Sequence, residues 1–134
     1  MRVLLIVVAL AIAALTVARA EEPEPATNLR TPSVTLSASM GWRLDAVVMI
    51  DLVAGVPVLV IGGDVINASS IERKSPTVRF GLRDANRREF FHWTVKLDQA
   101  TIRPGDWAPF ETRLERPPGE THSVEIQTVD ELGQ

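Results

Sequence analysis

At 134 residues with a net charge of −3, the chain has the length of one domain. It contains no cysteine, which excludes disulfide staples, thiolate metal sites, a thiol nucleophile and lipid attachment through sulfur. A domain built from this sequence must therefore rest on a hydrophobic core.

The first twenty residues differ from the rest. Met1-Arg2 is a short positive start, Val3 to Val17 is apolar apart from Thr16, and Ala18-Arg19-Ala20 is a small-x-small cleavage site. The pattern predicts a secretory signal at 1–20, so that the remainder works outside the cytoplasm, in the periplasm. An uncleaved anchor is the alternative, and would tether the domain to the outer face of the inner membrane. Spanning takes about 20 apolar residues and this run is shorter. Setting Arg2 and Arg19 aside reduces the 14 Lys and Arg to 12 against 17 Asp and Glu, a net charge of −5. That balance argues against nucleic-acid binding, which needs a basic footprint. Membrane contact is expected only if the N-terminal segment stays uncleaved. Residues 21–33, acidic and Pro-rich, read as a flexible linker, leaving 34–134 as the domain.

From Val34 onward the two-residue period dominates. Trp42 to Val53 reads as a strand with Leu44, Ala46, Val48, Ile50 and Leu52 on one face. Ala54-Gly55-Val56-Pro57 reads as a turn, and Val58 to Asn67 as the returning strand, with Leu59, Ile61 and Val65 together. Gly62-Gly63 inside it predicts either a bulge or a close approach of another backbone. Thr77 to Asp84 alternates, with Val78, Phe80 and Leu82 inward and Thr77, Arg79 and Arg83 outward. A self-capping turn at Asp84-Ala85-Asn86-Arg87 leads into Glu89 to Leu97, with Phe91, Trp93, Val95 and Leu97 inward. Pro104-Gly105 marks a tight turn. Trp107 to Glu115 and Ser123 to Val129 complete the set, with Phe110, Thr112, Leu114, Val124 and Ile126 inward. Six or seven strands with frequent turns predict an all-β domain, an antiparallel sandwich.

Several of these segments carry a family likeness. Leu59 to Asn67 resembles a strand of the form L-V-V-x-G-x-V-x-N, and Phe80-Gly81-Leu82-Arg83-Asp84 is similar to the F-x-L-x-D core of the FxLYD domains. Ile102 to Phe110 resembles L-x-P-G-E-x-x-P-F, and Leu114 to Pro118 the ending L-x-x-P-P, while Trp93 stands where a tryptophan is common. Over about residues 58–128 the chain resembles the bacterial domain of unknown function, related to FxLYD, that lies C-terminal to a zinc ribbon and a transmembrane helix. The resemblance implies an immunoglobulin-like sandwich in the cell envelope, and no activity. The zinc ribbon has no counterpart in a chain without cysteine.

The chemistry on offer is sparse. His92 and His122 are the only imidazoles, and no G-x-S-x-G accompanies them. Asp45 and Asp51 share a strand face too far apart to grip one ion, and Asp98, Asp106 and Glu111 match no calcium loop. The alternating charges of Glu111, Arg113, Glu115 and Arg116 read as a solvated sheet face. Asn67-Ala68-Ser69 fits a glycosylation sequon, accidental in a bacterial setting. No catalytic, cofactor or metal site is expected, and the protein is read as no enzyme.

Two surface features stand out. Arg73, Lys74, Arg79, Arg83, Arg87 and Arg88 cluster within sixteen residues, and Phe90 and His92 are expected on the outer face of the neighbouring strand. Arg79, Arg83, Arg87, Arg88, Phe90 and His92 thus form a candidate partner-binding surface for an anionic polymer or an envelope protein. The second feature is apolar. Val47, Met49, Val58, Val60 and Ile66 fall on the face opposite the core, to be covered either by residues 34–42 or by a partner. The expected role is a non-catalytic envelope module that binds a protein or anionic polymer. A periplasmic small-ligand carrier with an apolar pocket is the alternative.

Overall fold

A computed structural model describes residues 30–130; the expected signal at 1–20 and most of the linker lie outside the described residues. The chain is all-β there, with nine strands: β1 (Ser33–Ser37), β2 (Trp42–Val53), β3 (Val56–Asn67), β4 (Arg73–Lys74), β5 (Thr77–Arg83), β6 (Glu89–Lys96), β7 (Thr101–Ile102), β8 (Trp107–Glu115) and β9 (Ser123–Val129). They form a four-stranded sheet in the order β1-β9-β5-β6, a three-stranded sheet β2-β3-β8 and a two-stranded ribbon β4-β7. All pairs are antiparallel except β1 with β9.

Alternation decides which side of each sheet is buried. Leu44 and Val48 of β2, Leu59, Ile61 and Val65 of β3, and Ala108 and Phe110 of β8 join Val78, Phe80 and Leu82 of β5 and Val124 and Ile126 of β9 in one core. Each fully buried large side chain contributes roughly 1.5–3 kcal/mol. Phe80 stacks on Trp93 at 5.2 Å and meets Phe110 from the other sheet at 5.8 Å. The Trp93 indole N–H donates to Thr112 Oγ1 at 3.0 Å, joining β6 to β8.

The β2–β3 hairpin closes with two residues, Ala54 and Gly55, both at positive φ (52° and 80°). This is the turn whose twist suits a hairpin, so β3 begins at Val56 rather than Val58. The β3 register runs unbroken through Gly62-Gly63 on both sides, so close approach and not a bulge explains the pair. A Cβ on Gly63 would overlap the Asp45 carbonyl and stand 2.9 Å from the Phe110 ring. At Pro104-Gly105 the Asp106 N–H closes a turn onto Arg103 O at 3.0 Å, and Gly105 takes the positive φ (79°) that such a turn requires.

Three expectations change. Ser33 belongs to β1 and Pro32 is buried, so the linker ends before 33. Residues 34–42 do not cover the outer face of β2 and β3: β1 pairs with β9 in the other sheet, and Trp42 is core. The β5–β6 register shifts between Leu82 and Arg83, with Leu82 opposite Phe91 and Arg83 opposite Glu89. Phe90 is thereby the extra residue of a bulge, and it packs against the core instead of lining the outer face.

Candidate functional site

The bulge at Phe90 reorganises the basic surface. It brings Glu89 to the outer face, where its carboxylate takes both Arg79 amino groups, at 2.9 and 2.6 Å. Gly81, between Arg79 and Arg83 in β5, leaves room for this, since a Cβ there would collide with the Glu89 carboxylate. Arg83 donates to Glu125 at 2.7 Å and to the Arg87 carbonyl at 2.8 Å. The hydrogen bond from Arg79 holds the Glu89 carboxyl below its ordinary range, against a smaller opposing effect of desolvation. Arg79 and Arg83 are raised, chiefly by their hydrogen bonds to Glu89 and Glu125. Of the six predicted residues, Arg87, Arg88 and His92 are exposed, Arg79 and Arg83 are engaged in ion pairs, and Phe90 is turned inward. The structure does not gather the six into one basic patch.

Arg73, the other end of the basic run, is also engaged. Its guanidinium lies 4.7 Å from the Trp42 ring centre, donates to Met40 O at 2.9 Å and stands 3.7 Å from Asp130. Asp130 accepts from the Trp42 indole at 2.9 Å and from Ser39 at 3.0 Å. These bonds tie the approach to β2 to the end of β9.

Asn67 is fully buried at the end of β3. Its amide donates to Ile102 O at 2.7 Å and Ile71 O at 2.9 Å, and its carbonyl accepts from the Ser69 N–H and hydroxyl at 2.9 and 2.6 Å. The sequon asparagine is thus a structural clamp with every hydrogen-bonding position occupied. His92 lies on β6 and His122 just before β9, both exposed. Asp106 is paired with Arg103 at 3.2 Å and Glu111 with Arg113 at 3.3 Å. Asp45 stands opposite Asp64, not beside Asp51. Among the described residues, no group of three or more His, Asp or Glu is placed to hold a metal ion.

What stays open is the outer face of the three-stranded sheet. Val47 is 68% and Met49 50% exposed, next to half-buried Val60, with Ile66 and exposed Trp107 at one end, whereas Val58, expected to be open with them, is buried. Registers set Met49, Val60 and Arg113 in one row, and Arg43, Ile66 and Trp107 in another. Beside Trp107 lies a cleft of about 320 Å³ lined by Glu72, Gln99, Thr101 and Asp106; at the opposite end Val53, Val56 and Val58 line one of about 270 Å³ under Arg113 and Arg116. Among the described residues, Arg43, Asp45, Asp51 and Asp64 make no ion pair.

No family model and no curated protein matches the chain. Solved structures similar to the chain include the following two. The X-ray structure of Northeast Structural Genomics Consortium target SoR45 is 14% identical with a TM-score of 0.44, over 57% of this chain and 62% of that one. A DUF1425 family member from Shewanella sp. pv-4 is 13% identical with a TM-score of 0.41, over 69% of this chain and 81% of that one. The chain thus spans less than two thirds of the first of these.

Sequence reasoning found the apolar outer face but ranked the basic cluster beside it. The missed signal was Glu89-Phe90-Phe91: an acid followed by two aromatics breaks the alternation unless the strand takes an extra residue, and it is Phe90 that packs on the core while Phe91, expected inward, is exposed.

Proposed function

We propose that the chain is a non-catalytic cell-envelope module, an immunoglobulin-like β-sandwich akin to the FxLYD relatives, that takes a protein partner on the outer face of β2-β3-β8. The observation that carries this reading is the exposure of Val47 and Met49 beside half-buried Val60 on the outer face of the three-stranded sheet. Contiguous apolar surface of this kind marks interaction sites on soluble domains. The export pattern at 1–20 supports an envelope location, and mass measurement of the exported chain tests cleavage after Ala20. An anionic polymer is the weaker partner, because Arg79 and Arg83 already hold carboxylates.

The test is capture from an envelope extract. Val60→Glu, in the central strand, should abolish partner capture, while Arg87→Glu with Arg88→Glu should leave it intact. The reverse result would return the reading to an anionic polymer. A chain that captures nothing and instead purifies with an apolar ligand at Val53, Val56 and Val58 would favour a carrier.

A further inference from the structure

The two sheets leave four edges, and their residues differ in how they discourage pairing. Edges expose unpaired N–H and C=O groups, and proteins blunt them with charge, proline, bulges or short length. β1 has five residues and β6 carries the bulge at Phe90. The bonds Arg116 N–H to Pro57 O and Asn67 N–H to Asp106 O fix which residues of β3 serve β8. The odd-numbered residues of β8 therefore face its open side. There Pro109 offers no N–H, and Glu111, Arg113 and Glu115 carry charge.

β2 has none of these devices along its middle. The same alternation turns the backbones of Leu44, Ala46, Val48 and Ile50 to the open side, where they have no partner among the described residues. Ala46-Val47-Val48-Met49-Ile50 is uncharged, rich in β-formers and free of Pro and Gly. A space lies beside it. Val34 and Leu36 of β1 pair in register with fully buried Val124 and Ile126, so they point to the inner face, yet they are 38% and 42% exposed. The three-stranded sheet lacks a strand to cover them, and a strand added at β2 would supply one.

We propose that the added strand is β2 of a second copy of this chain, paired antiparallel about a two-fold axis at Val47, making one six-stranded sheet. Charge and length of overlap select the register: an axis at Leu44 would also set Arg43 against an aspartate, Asp45, but would pair only the first few residues of β2. With the axis at Val47, Arg43 of each copy faces Asp51 of the other, and both are otherwise unpaired among the described residues. Moving the axis to Val48 sets Asp45 against Asp51, and moving it to Met49 leaves both charges opposite uncharged residues. Opposite charges across strands favour pairing and like charges oppose it. A two-fold interface needs such self-complementarity. The pairing engages the edge of β2 and leaves Val60 of the central strand free, so it stands apart from the partner reading above.

The absence of cysteine gives a clean test in the full exported chain. At the axis the two Val47 residues form a non-hydrogen-bonded pair, Cα atoms about 4.5 Å apart, within reach of a disulfide. Val47→Cys should give a covalent dimer under mild oxidant, and Val129→Cys, exposed on the other sheet, should not. Adding Arg43→Asp to Val47→Cys should lower the cross-linked fraction about tenfold, and adding Asp51→Arg as well should restore it. Circular dichroism of each variant should match the parent, since the altered side chains point outward. Cross-linking of Val47→Cys no greater than that of Val129→Cys overturns the proposal, and so does indifference to the charge exchange.

Discussion

Gly62 and Gly63 are adjacent in β3, yet alanine at each has opposite expected consequences. Gly63 faces inward between Ala46 of β2 and Phe110 of β8. A Cβ there would overlap the Asp45 carbonyl oxygen and lie 2.8 Å from Ala46 Cα and 2.9 Å from Phe110 Cζ. Two of those three atoms are backbone and cannot swing aside, so β2 and β3 must separate or the ring must leave the core. Overpacking costs about 1–3 kcal/mol, and a strained ladder bond adds about 1. Gly63→Ala should therefore lose about 2–4 kcal/mol, or about 10–20 °C in melting temperature for a domain of this size. At Gly62 the nearest atom to a new Cβ is Phe110 O at 3.7 Å, an ordinary contact. Gly62→Ala should gain about 0.4–1 kcal/mol by restricting the unfolded chain. Urea unfolding followed by circular dichroism measures both. Variants that shift in the same direction, or a Gly63→Ala loss below about 0.5 kcal/mol, would refute the close-approach account.

Asn67→Ala should cost about 2–3 kcal/mol in the same assay, because the buried Ile102 carbonyl loses its donor while Ile71 O keeps the Ser69 hydroxyl; Asn67→Asp should lose at least as much at neutral pH, having no donor to offer. The lowered pKa of Glu89 sets the sign of an acid effect: the stability from its pair with Arg79 is fully present above the ordinary carboxylate value, about 4.3, and is lost as pH falls through the lowered folded value. Glu89→Gln should flatten that acid limb while removing at most about 1 kcal/mol at pH 7, read as melting temperature against pH.

Local alternation carried most of the fold. In β5 the pattern Val78, Phe80, Leu82 against Arg79 and Arg83 is the burial pattern itself, and Asp84 accepts from the N–H groups of Asn86 and Arg88 as a turn residue should. Short elements were illegible for an equally physical reason. β4 and β7 have two residues each, too few for a period, and are placed by β3 ending on Asn67 rather than by their own sequence. β1 alternates Val34 and Leu36 between polar residues, but its parallel pairing with β9 involves residues 90 positions apart. At the candidate surface, composition showed the arginines and not their partners. Glu89 and Glu125 become neighbours of Arg79 and Arg83 only through the bulge and through β9 lying beside β5.

That pairing separates the two sheet faces as binding surfaces. A partner approaching the four-stranded face must displace Glu89 from a two-pronged Arg79 bond and Glu125 from Arg83, losing charge-assisted hydrogen bonds before gaining any. On the three-stranded face, Arg43, Asp45, Asp51 and Asp64 make no ion pair among the described residues, and they flank apolar side chains that water solvates poorly. Asp45 and Asp64 stand directly opposite one another in the ladder, where like charges oppose pairing. Apart from the Glu111–Arg113 pair, the face with fewer basic residues is thus the one whose charges no described residue pairs.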